Sequence, residues 1–285
     1  MLGDESGYAL TDNQKMKLAA IEAMWETEPP PAPFTAIGIP SKAERKTYFA
    51  IHIPWVMGLI GTRSIDKPIA GIDQLVDHAK ERIRNGITAY DALERLKVNR
   101  SDSAARKTFD TASADLGYAL LLKQFVEDPR KASPQQIDDA AWSTVPQVPT
   151  LFFAFRFMVL GAFILLAVFA VSLWHTAREA EAPRWLFRLA VLALPIPWIA
   201  IELGWLVAEF GRQPWIIEGV LPTFLATSQL GVTNLLITIT GFTVVYGVLA
   251  IIEVRLMLAA IRKGPEVADV VDALSPAPSR LQPAE

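Results

Sequence analysis

Residues 198–215 read WIAIELGWLVAEFGRQPW, an apolar stretch that contains two carboxylates and ends near a guanidinium. An ionised side chain at the centre of a bilayer costs about 2.5–3.5 kcal/mol, so such residues usually face a bundle interior, a cavity or a cofactor. Glu202 and Glu209 are seven residues apart, which places both on nearly the same face of a helix. The stretch therefore predicts a membrane helix with a functional face. The alternative is that Glu209 and Arg212 only mark where the helix enters the headgroups.

Two further apolar runs accompany this stretch. The chain has 285 residues, 52% of them hydrophobic, and a mean hydropathy of +0.29. Crossing a hydrocarbon core of about 30 Å takes roughly 20 residues. Runs of that length occupy approximately 150–174, 185–208 and 234–258. We predict three transmembrane helices, the second of them interrupted by Pro195 and Pro197.

The remaining chain is polar. Residues 1–149 carry helical patterns at 13–25, 72–97, 102–125 and 134–142. The pattern at 72–97 is predicted to be two helices that break at Asn85-Gly86, and PFTAIGIP is predicted to be extended. Residues 259–285 form a polar tail that we predict to be disordered. The fold class is thus an all-α membrane protein: three transmembrane helices that follow a mostly helical extramembrane segment.

Basic residues in the short loops predict the orientation. The connection 175–188 carries three arginines and the last helix ends in three basic residues, whereas the connection 209–233 has one. The positive-inside rule then places the first connection and the carboxyl tail in the cytoplasm and residues 1–149 outside. Because the amino terminus has no signal-peptide pattern, the simplest explanation is that the chain is the carboxyl-terminal part of a longer protein. A separate partner chain that supplies the earlier helices is the alternative.

Several functional classes are excluded or unsupported. A formal charge of -3 and a pI of about 5.7 do not favour a nucleic-acid partner, and the absence of cysteine excludes disulfides and thiolate metal sites. No HExxH, GxSxG, P-loop or Rossmann motif is present. His52, His78 and His175 all lie away from the middle of the predicted membrane helices, so these residues cannot form a bis-histidine haem site. Met158 is either core filler or an axial haem ligand.

The chain resembles subunit I of the cytochrome bd-type quinol oxidases, along essentially its whole length, as the carboxyl-terminal half of that subunit. The stretches that carry the resemblance are KLAAIEAMWET (17–27), FAIHIP (49–54), ERIRNG (81–86), DLGYALLLK (115–123), FFAFRFM (152–158), PWIAIELGW (197–205) and EFGRQPW (209–215). Seven such motifs in this order and spacing are specific to the family. The resemblance implies that residues 1–149 are the long, external quinol-binding loop.

The resemblance also implies the roles of individual residues. Lys17 and Glu22 match the lysine and glutamate implicated in quinol binding and oxidation. A cation can hold a quinol oxygen while a carboxylate accepts its proton, so the chemistry agrees. Met158 matches the axial methionine of the low-spin haem b. Glu209 matches the glutamate ligand of the high-spin haem b.

Four further residues receive supporting roles. Arg156 and Arg212 match arginines near the haems, where a guanidinium would neutralise propionates or offset the charge of an electron. Trp205 matches a tryptophan packed between the haems. Glu202 is predicted to be an outer-shell or proton-handling residue.

The same resemblance implies cofactors and partners. A third haem, of d type or b type, would lie at the oxygen site, and its histidine ligand and the histidine opposite Met158 would belong to the missing amino-terminal half. The partners implied are that half, oxidase subunit II, a small accessory subunit, quinol and the lipid of a bacterial cytoplasmic membrane. Quinol would be oxidised outside and oxygen reduced to water with cytoplasmic protons. Two other interpretations are a non-catalytic remnant and a membrane-anchored binding domain, both without haem.

Overall fold

The computed structural model describes residues 5, 8–9, 13–179, 182–228 and 230–263. The chain forms two compact units, residues 1–227 and residues 228–285. Most of the predicted tail, from residue 264, lies outside the described residues. The first unit holds every residue for which we predict a role at a site.

The elements of the first unit, in chain order, are α1 (Lys15–Glu22), β1 (Phe34–Ser41), β2 (Lys46–Ile53), α2 (Ile72–Val98), α3 (Ser103–Ala112), α4 (Leu116–Leu121), α5 (Pro134–Ser143), α6 (Val148–Ala177), α7 (Arg184–Ala193), α8 (Ile196–Arg212), β3 (Trp215–Ile217) and β4 (Leu221–Pro222). The second unit contains α9 (Val232–Lys263). The protein is mainly helical, and the two short antiparallel hairpins form no closed sheet. This confirms the predicted fold class.

Three stretches are long and apolar enough to span a membrane, as predicted. They are α6, the α7–α8 pair and α9, and each extends beyond the bounds that the sequence indicated. The second span is interrupted by a turn at Leu194-Pro195, where the prolines predicted a break. α8 therefore begins afresh at Ile196 and continues to Arg212.

The predicted break of the long extramembrane helix at Asn85-Gly86 is wrong, because α2 continues through it to Val98. Gly86 instead allows the segment before α4 to approach closely. A Cβ at Gly86 would lie only 2.3 Å from the carbonyl oxygen of Asp115. Asn85 donates a hydrogen bond to the Asp115 carboxylate at 2.6 Å. The glycine is thus required by packing between helices, a tertiary contact that local propensity does not reveal.

The predicted extended stretch forms strand β1, which pairs with β2 in an antiparallel hairpin. One face of this hairpin packs against α6, where a Cβ at Gly38 would lie 3.5 Å from Phe152 Cζ. At the closed end, Lys42 donates to the carbonyl oxygen of Val145 at 2.7 Å, just before α6 begins. The hairpin therefore runs alongside the first turns of the first membrane helix.

Helix α1 is shorter than the predicted 13–25 helix, because Ala23 adopts a left-handed backbone conformation that ends it after Glu22. It packs against α2, α6 and α8. Ala19 and Ala20 on α1 are fully buried and belong to one core with Ile83 of α2 and Leu151 of α6. The small alanines allow α1 to lie close to the membrane helices.

Candidate functional site

A buried ion pair joins α1 to the first membrane helix. Glu22 is 2% exposed, and its Oε2 lies 3.0 Å from Nη2 of Arg156. Taking two charges out of water costs several kcal/mol per ion unless the geometry is good and the other polar groups are satisfied. The buried pair is therefore stable only if the other N–H groups of Arg156 also find hydrogen-bond acceptors.

Arg156 uses its remaining donors on the backbone. Its Nε donates to the carbonyl oxygen of Thr35 at 2.9 Å, and Nη2 contacts the same oxygen. Its Nη1 donates to the carbonyl oxygens of Ile21 at 2.8 Å and Phe152 at 3.1 Å. The guanidinium also stacks on the Phe152 ring, 3.4 Å from the centroid. One side chain therefore ties α1, β1 and α6 together.

Burial determines how Glu22 titrates. The removal of the carboxyl group from water raises the pKa of Glu22 to about 7, although the charge of Arg156 and its hydrogen bond oppose the shift. A carboxyl group with this pKa exchanges its proton near neutral pH, which suits a general base.

Lys17 lies near the other end of α1, against the end of α8. A Cβ at Gly211 would lie 2.8 Å from Cγ of Lys17, so glycine leaves room for the lysine stem. Burial lowers the pKa of Lys17, and the nearby Arg212 lowers it further. Helix α1 thus brings the two residues predicted to act on quinol against two different membrane helices.

A cavity of about 200 Å³ lies beside Lys17. Its walls include Arg82 of α2, Tyr118 of α4, Arg212 at the end of α8 and Trp215 of β3. The Tyr118 and Trp215 rings are 5.0 Å apart, and Arg82 donates to the Tyr118 hydroxyl at 3.2 Å. A cavity with cations, a phenol and aromatic faces suits a flat aromatic headgroup that has hydrogen-bonding oxygens.

The roles of Arg82, Tyr118 and Trp215 were not predicted from the sequence. All three nevertheless occur in stretches that carry the family resemblance, ERIRNG, DLGYALLLK and EFGRQPW. These motifs therefore identified the residues, but only the folded structure shows that they line one cavity.

The predicted haem-side residues of α8 share one uncovered face. Glu202, Trp205 and Arg212 are exposed, and Glu209 is partly exposed. Arg212 pairs with Glu209 at 2.5 Å, one turn apart on the helix. These four side chains form an exposed row of charged and aromatic groups on an otherwise apolar helix, and their role at a haem stays a prediction.

Met158 lies on α6, two residues after Arg156, and its thioether is directed at α8. A Cβ at Gly204 would lie 3.3 Å from Met158 Sδ. Met158 therefore points to the α6–α8 contact, whereas Glu209 belongs to the uncovered face of α8. Within the described residues, no group of three or more His, Asp or Glu side chains that could hold a metal ion is found.

These features define a class of protein: a helical membrane protein whose charged and thioether side chains adjoin an extramembrane segment with a basic, aromatic cavity. The model of the family described as cytochrome bd terminal oxidase subunit I matches residues 1–265. The chain belongs to this family, as its motifs indicated.

Relatives agree with the family assignment. The chain is 36% identical, over 93% of its length, to cytochrome bd-II ubiquinol oxidase subunit 1 of Escherichia coli (strain K12), and covers 52% of that protein. It is 23% identical to cytochrome bd ubiquinol oxidase subunit 1 of Bacillus subtilis (strain 168), over 90% of this chain and 43% of the relative. A putative cytochrome bd menaquinol oxidase subunit I from the same Bacillus strain is 25% identical. The chain spans about half the length of these relatives.

Proposed function

We propose that the chain supplies the quinol-oxidising part of a terminal respiratory oxidase that passes electrons from quinol to oxygen. The observation that carries this proposal is the position of α1. This short helix holds Lys17 against the end of α8 and Glu22 against Arg156 of α6. It thereby links the residues expected to act on quinol to the two helices expected to supply haem ligands.

The cavity beside Lys17 is the proposed site for the quinol headgroup. The Lys17 ammonium would donate a hydrogen bond to one quinol oxygen, and the parts of Tyr118 and Trp215 that line the cavity would contact the quinol ring. Oxidation of the quinol to the quinone releases two electrons and two protons. The electrons would pass to the haems. The Glu22 carboxylate, which Arg156 stabilises before the reaction, would accept one proton and become the neutral acid, and the second proton would leave to the outer side. Glu22 does not line the cavity itself, so its proton would reach it along α1 from the Lys17 end.

Met158 would be a ligand of a low-spin haem b, and Glu209 would be a ligand of a high-spin haem b. The donor chemistry fits, because a thioether and a carboxylate both ligate iron. Met158 lies at the contact between α6 and α8, whereas Glu209 lies on the exposed face of α8, so the two side chains would serve different haems. The uncovered face of α8, with Trp205, would contact a haem ring, and Arg212 would offset propionate charge. Arg156 uses its donors on Glu22 and on backbone carbonyl oxygens, so it would act on a haem through its charge alone. When bound, haems supply one-electron transfer and, at the oxygen site, the reduction of oxygen to water. Glu202 would handle protons on the same face of α8.

The complete oxidase would need components beyond these 285 residues. Histidine ligands of the haems, including that of the oxygen-site haem of d or b type, would come from further polypeptide of subunit I. Subunit II and a small accessory subunit would complete the assembly in a bacterial cytoplasmic membrane. Residues 1–149 would lie outside and the carboxyl end inside, so that quinol protons leave on the outer side.

Replacing Lys17 with methionine is expected to raise the KM for quinol at least tenfold with a smaller change in kcat. The loss of a hydrogen bond from a charged donor is worth about 1.5–3 kcal/mol. The measurement is steady-state quinol oxidation by the assembled oxidase. Lys97→Met, which removes an exposed cation near the end of α2, is the control. Equal KM values for Lys17→Met and Lys97→Met would show that Lys17 does not hold the quinol.

The rate of quinol oxidation is expected to rise with pH as Glu22 ionises around pH 7, because only its carboxylate accepts a proton. Glu22→Gln should lower kcat by about 10²-fold or more and flatten this rise. The test is kcat measured from about pH 5 to pH 9. Glu26→Gln, at an exposed position in the same segment, should keep the wild-type profile. A step near pH 7 that persists in Glu22→Gln would assign the titration to another group.

Reduced-minus-oxidised absorption spectra test the proposed function as a whole. Membranes of an oxidase-deficient host would carry this chain alone, or this chain with a matching amino-terminal half and subunit II. We expect haem bands and cyanide-tolerant quinol oxidation only in the combined sample. The absence of haem from both samples would favour a non-catalytic remnant, and haem in the chain alone would contradict the ligand assignment.

A further inference from the structure

The last residue of strand β2 and the turn after it, residues 53–60, expose large apolar side chains in the extramembrane segment. This stretch, called the apolar loop below, runs into a short helix at Gly58–Thr62. The exposed fractions are 45% for Ile53, 59% for Trp55, 56% for Leu59 and 66% for Ile60. Four large apolar side chains within eight residues are therefore exposed to water, which solvates them poorly. Such a surface needs a partner or a non-aqueous environment.

The loop is built to present these side chains. Met57, in its middle, is 4% exposed and belongs to the core. The Gly58 amide donates to the carbonyl oxygen of Ala32 at 3.1 Å, and the Leu59 amide donates to that of Trp55 at 3.0 Å. The backbone is therefore held from inside, and the apolar side chains on either side of Met57 point away from the core.

The start of the loop lies beside Arg156 of the first membrane helix. Ile53 pairs with Phe34, and the next residue of β1, Thr35, accepts hydrogen bonds from Arg156. Arg156 is eight residues beyond Val148, or about 12 Å along α6. The opposite end of the hairpin lies near Val145, before α6 begins. The open end of the hairpin, from which the loop continues, is thus the end that reaches furthest along the membrane helix.

The depth of Arg156 in the membrane can be estimated from the length of α6. Its apolar run from residue 151 to residue 174 would extend about 36 Å, slightly longer than a hydrocarbon core of about 30 Å. If the core is centred on that run, Arg156 lies within about 5 Å of its edge. Phe153 and Phe157, which flank Arg156, are exposed on α6 as expected for a surface in contact with lipid. With that placement, the loop emerges where headgroups meet acyl chains.

We propose that the apolar loop is an interfacial anchor, which inserts Trp55, Leu59 and Ile60 into the boundary between the headgroups and acyl chains of the adjacent leaflet. Tryptophan is enriched at this depth because its ring is amphipathic. Leucine and isoleucine gain free energy from the same burial in proportion to their apolar area. This anchor would fix the extramembrane segment at the membrane surface, and it is independent of whether the chain oxidises quinol.

Site-directed spin labelling tests the anchor, and the chain has no cysteine of its own that would interfere. Single cysteines replace Trp55, Leu59 or Ile60 in the assembled oxidase, whose other cysteines are removed, and carry a nitroxide in lipid nanodiscs. Power saturation then compares collisions with oxygen, which partitions into lipid, and with a water-soluble nickel chelate. The control is Val98→Cys, at the exposed end of α2, about 39 Å from the start of that helix.

All three loop labels are expected to collide several-fold more with oxygen, relative to the nickel chelate, than the Val98 label does. Protection from both reagents would show that another polypeptide covers the loop and would overturn the proposal. Free access of the nickel chelate would show a water-exposed loop and would also overturn it. Because these side chains are exposed, the labels replace no core contacts, and quinol oxidation measured on the same samples separates this test from that of the proposed function.

Discussion

Replacing Met158 with leucine is expected to abolish the absorption bands of the low-spin haem b in the assembled oxidase while the subunit still assembles. Leucine is close to methionine in volume, so the contact with Gly204 and the packing of α6 on α8 should cost less than about 1.5 kcal/mol. It has no sulfur to ligate iron, so this position could no longer hold a haem.

The measurements are the reduced-minus-oxidised spectrum and the ratio of haem to protein. Met257→Leu is the matched control, because Met257 is an exposed methionine of α9 and no ligand role is proposed for it. Its spectrum should equal that of the wild type. An unchanged low-spin spectrum in Met158→Leu would show that the axial ligand is a different residue.

Replacing Arg156 with methionine is expected to lower the free energy of unfolding by about 3–5 kcal/mol. The substitution leaves the Glu22 carboxylate buried without a counter-charge, and it removes the donor to the carbonyl oxygens of Thr35 and Ile21. The loss should be measured by unfolding of the assembled oxidase in mixed micelles. It should be largest above about pH 7, where Glu22 would otherwise be ionised.

A double-mutant cycle distinguishes the ion pair from general damage. Glu22→Gln combined with Arg156→Met should be more stable than Arg156→Met alone, since no charge is then buried unpaired. Arg95→Met is the control, because Arg95 pairs with Asp91 on the exposed surface of α2, where such pairs contribute at most about 1 kcal/mol. Strict additivity of the two substitutions would contradict the proposed coupling.

The sequence predicted the membrane helices well, because hydropathy and proline positions act locally and survive in any tertiary context. The same reasoning predicted a break at Gly86, since glycine is a poor helix former, but the close approach of the Asp115 backbone there depends on the fold. The family resemblance assigned separate roles to Glu22 and Arg156. It could not reveal that these residues, 134 positions apart, form one buried pair.

The wall of the cavity illustrates the same limit. Arg82, Tyr118 and Trp215 come from α2, α4 and β3, and no spacing rule within one helix or strand relates them. Their motifs were visible in the sequence, whereas their convergence beside Lys17 required the packing of those elements around α1. The candidate site was therefore predictable as a set of residues and only partly as an arrangement.

Helix α1 has a consequence for thermodynamic linkage. Its eight residues span about 12 Å, carry both Lys17 and Glu22, and contact α6 and α8. A ligand that shifts α1 at Lys17 would also change the contact of Glu22 with Arg156, and so the proton affinity of Glu22. Reciprocity then requires that a proton on Glu22 changes the affinity for that ligand by the same factor. Ligand binding at Lys17 and protonation of Glu22 are therefore coupled through helix α1.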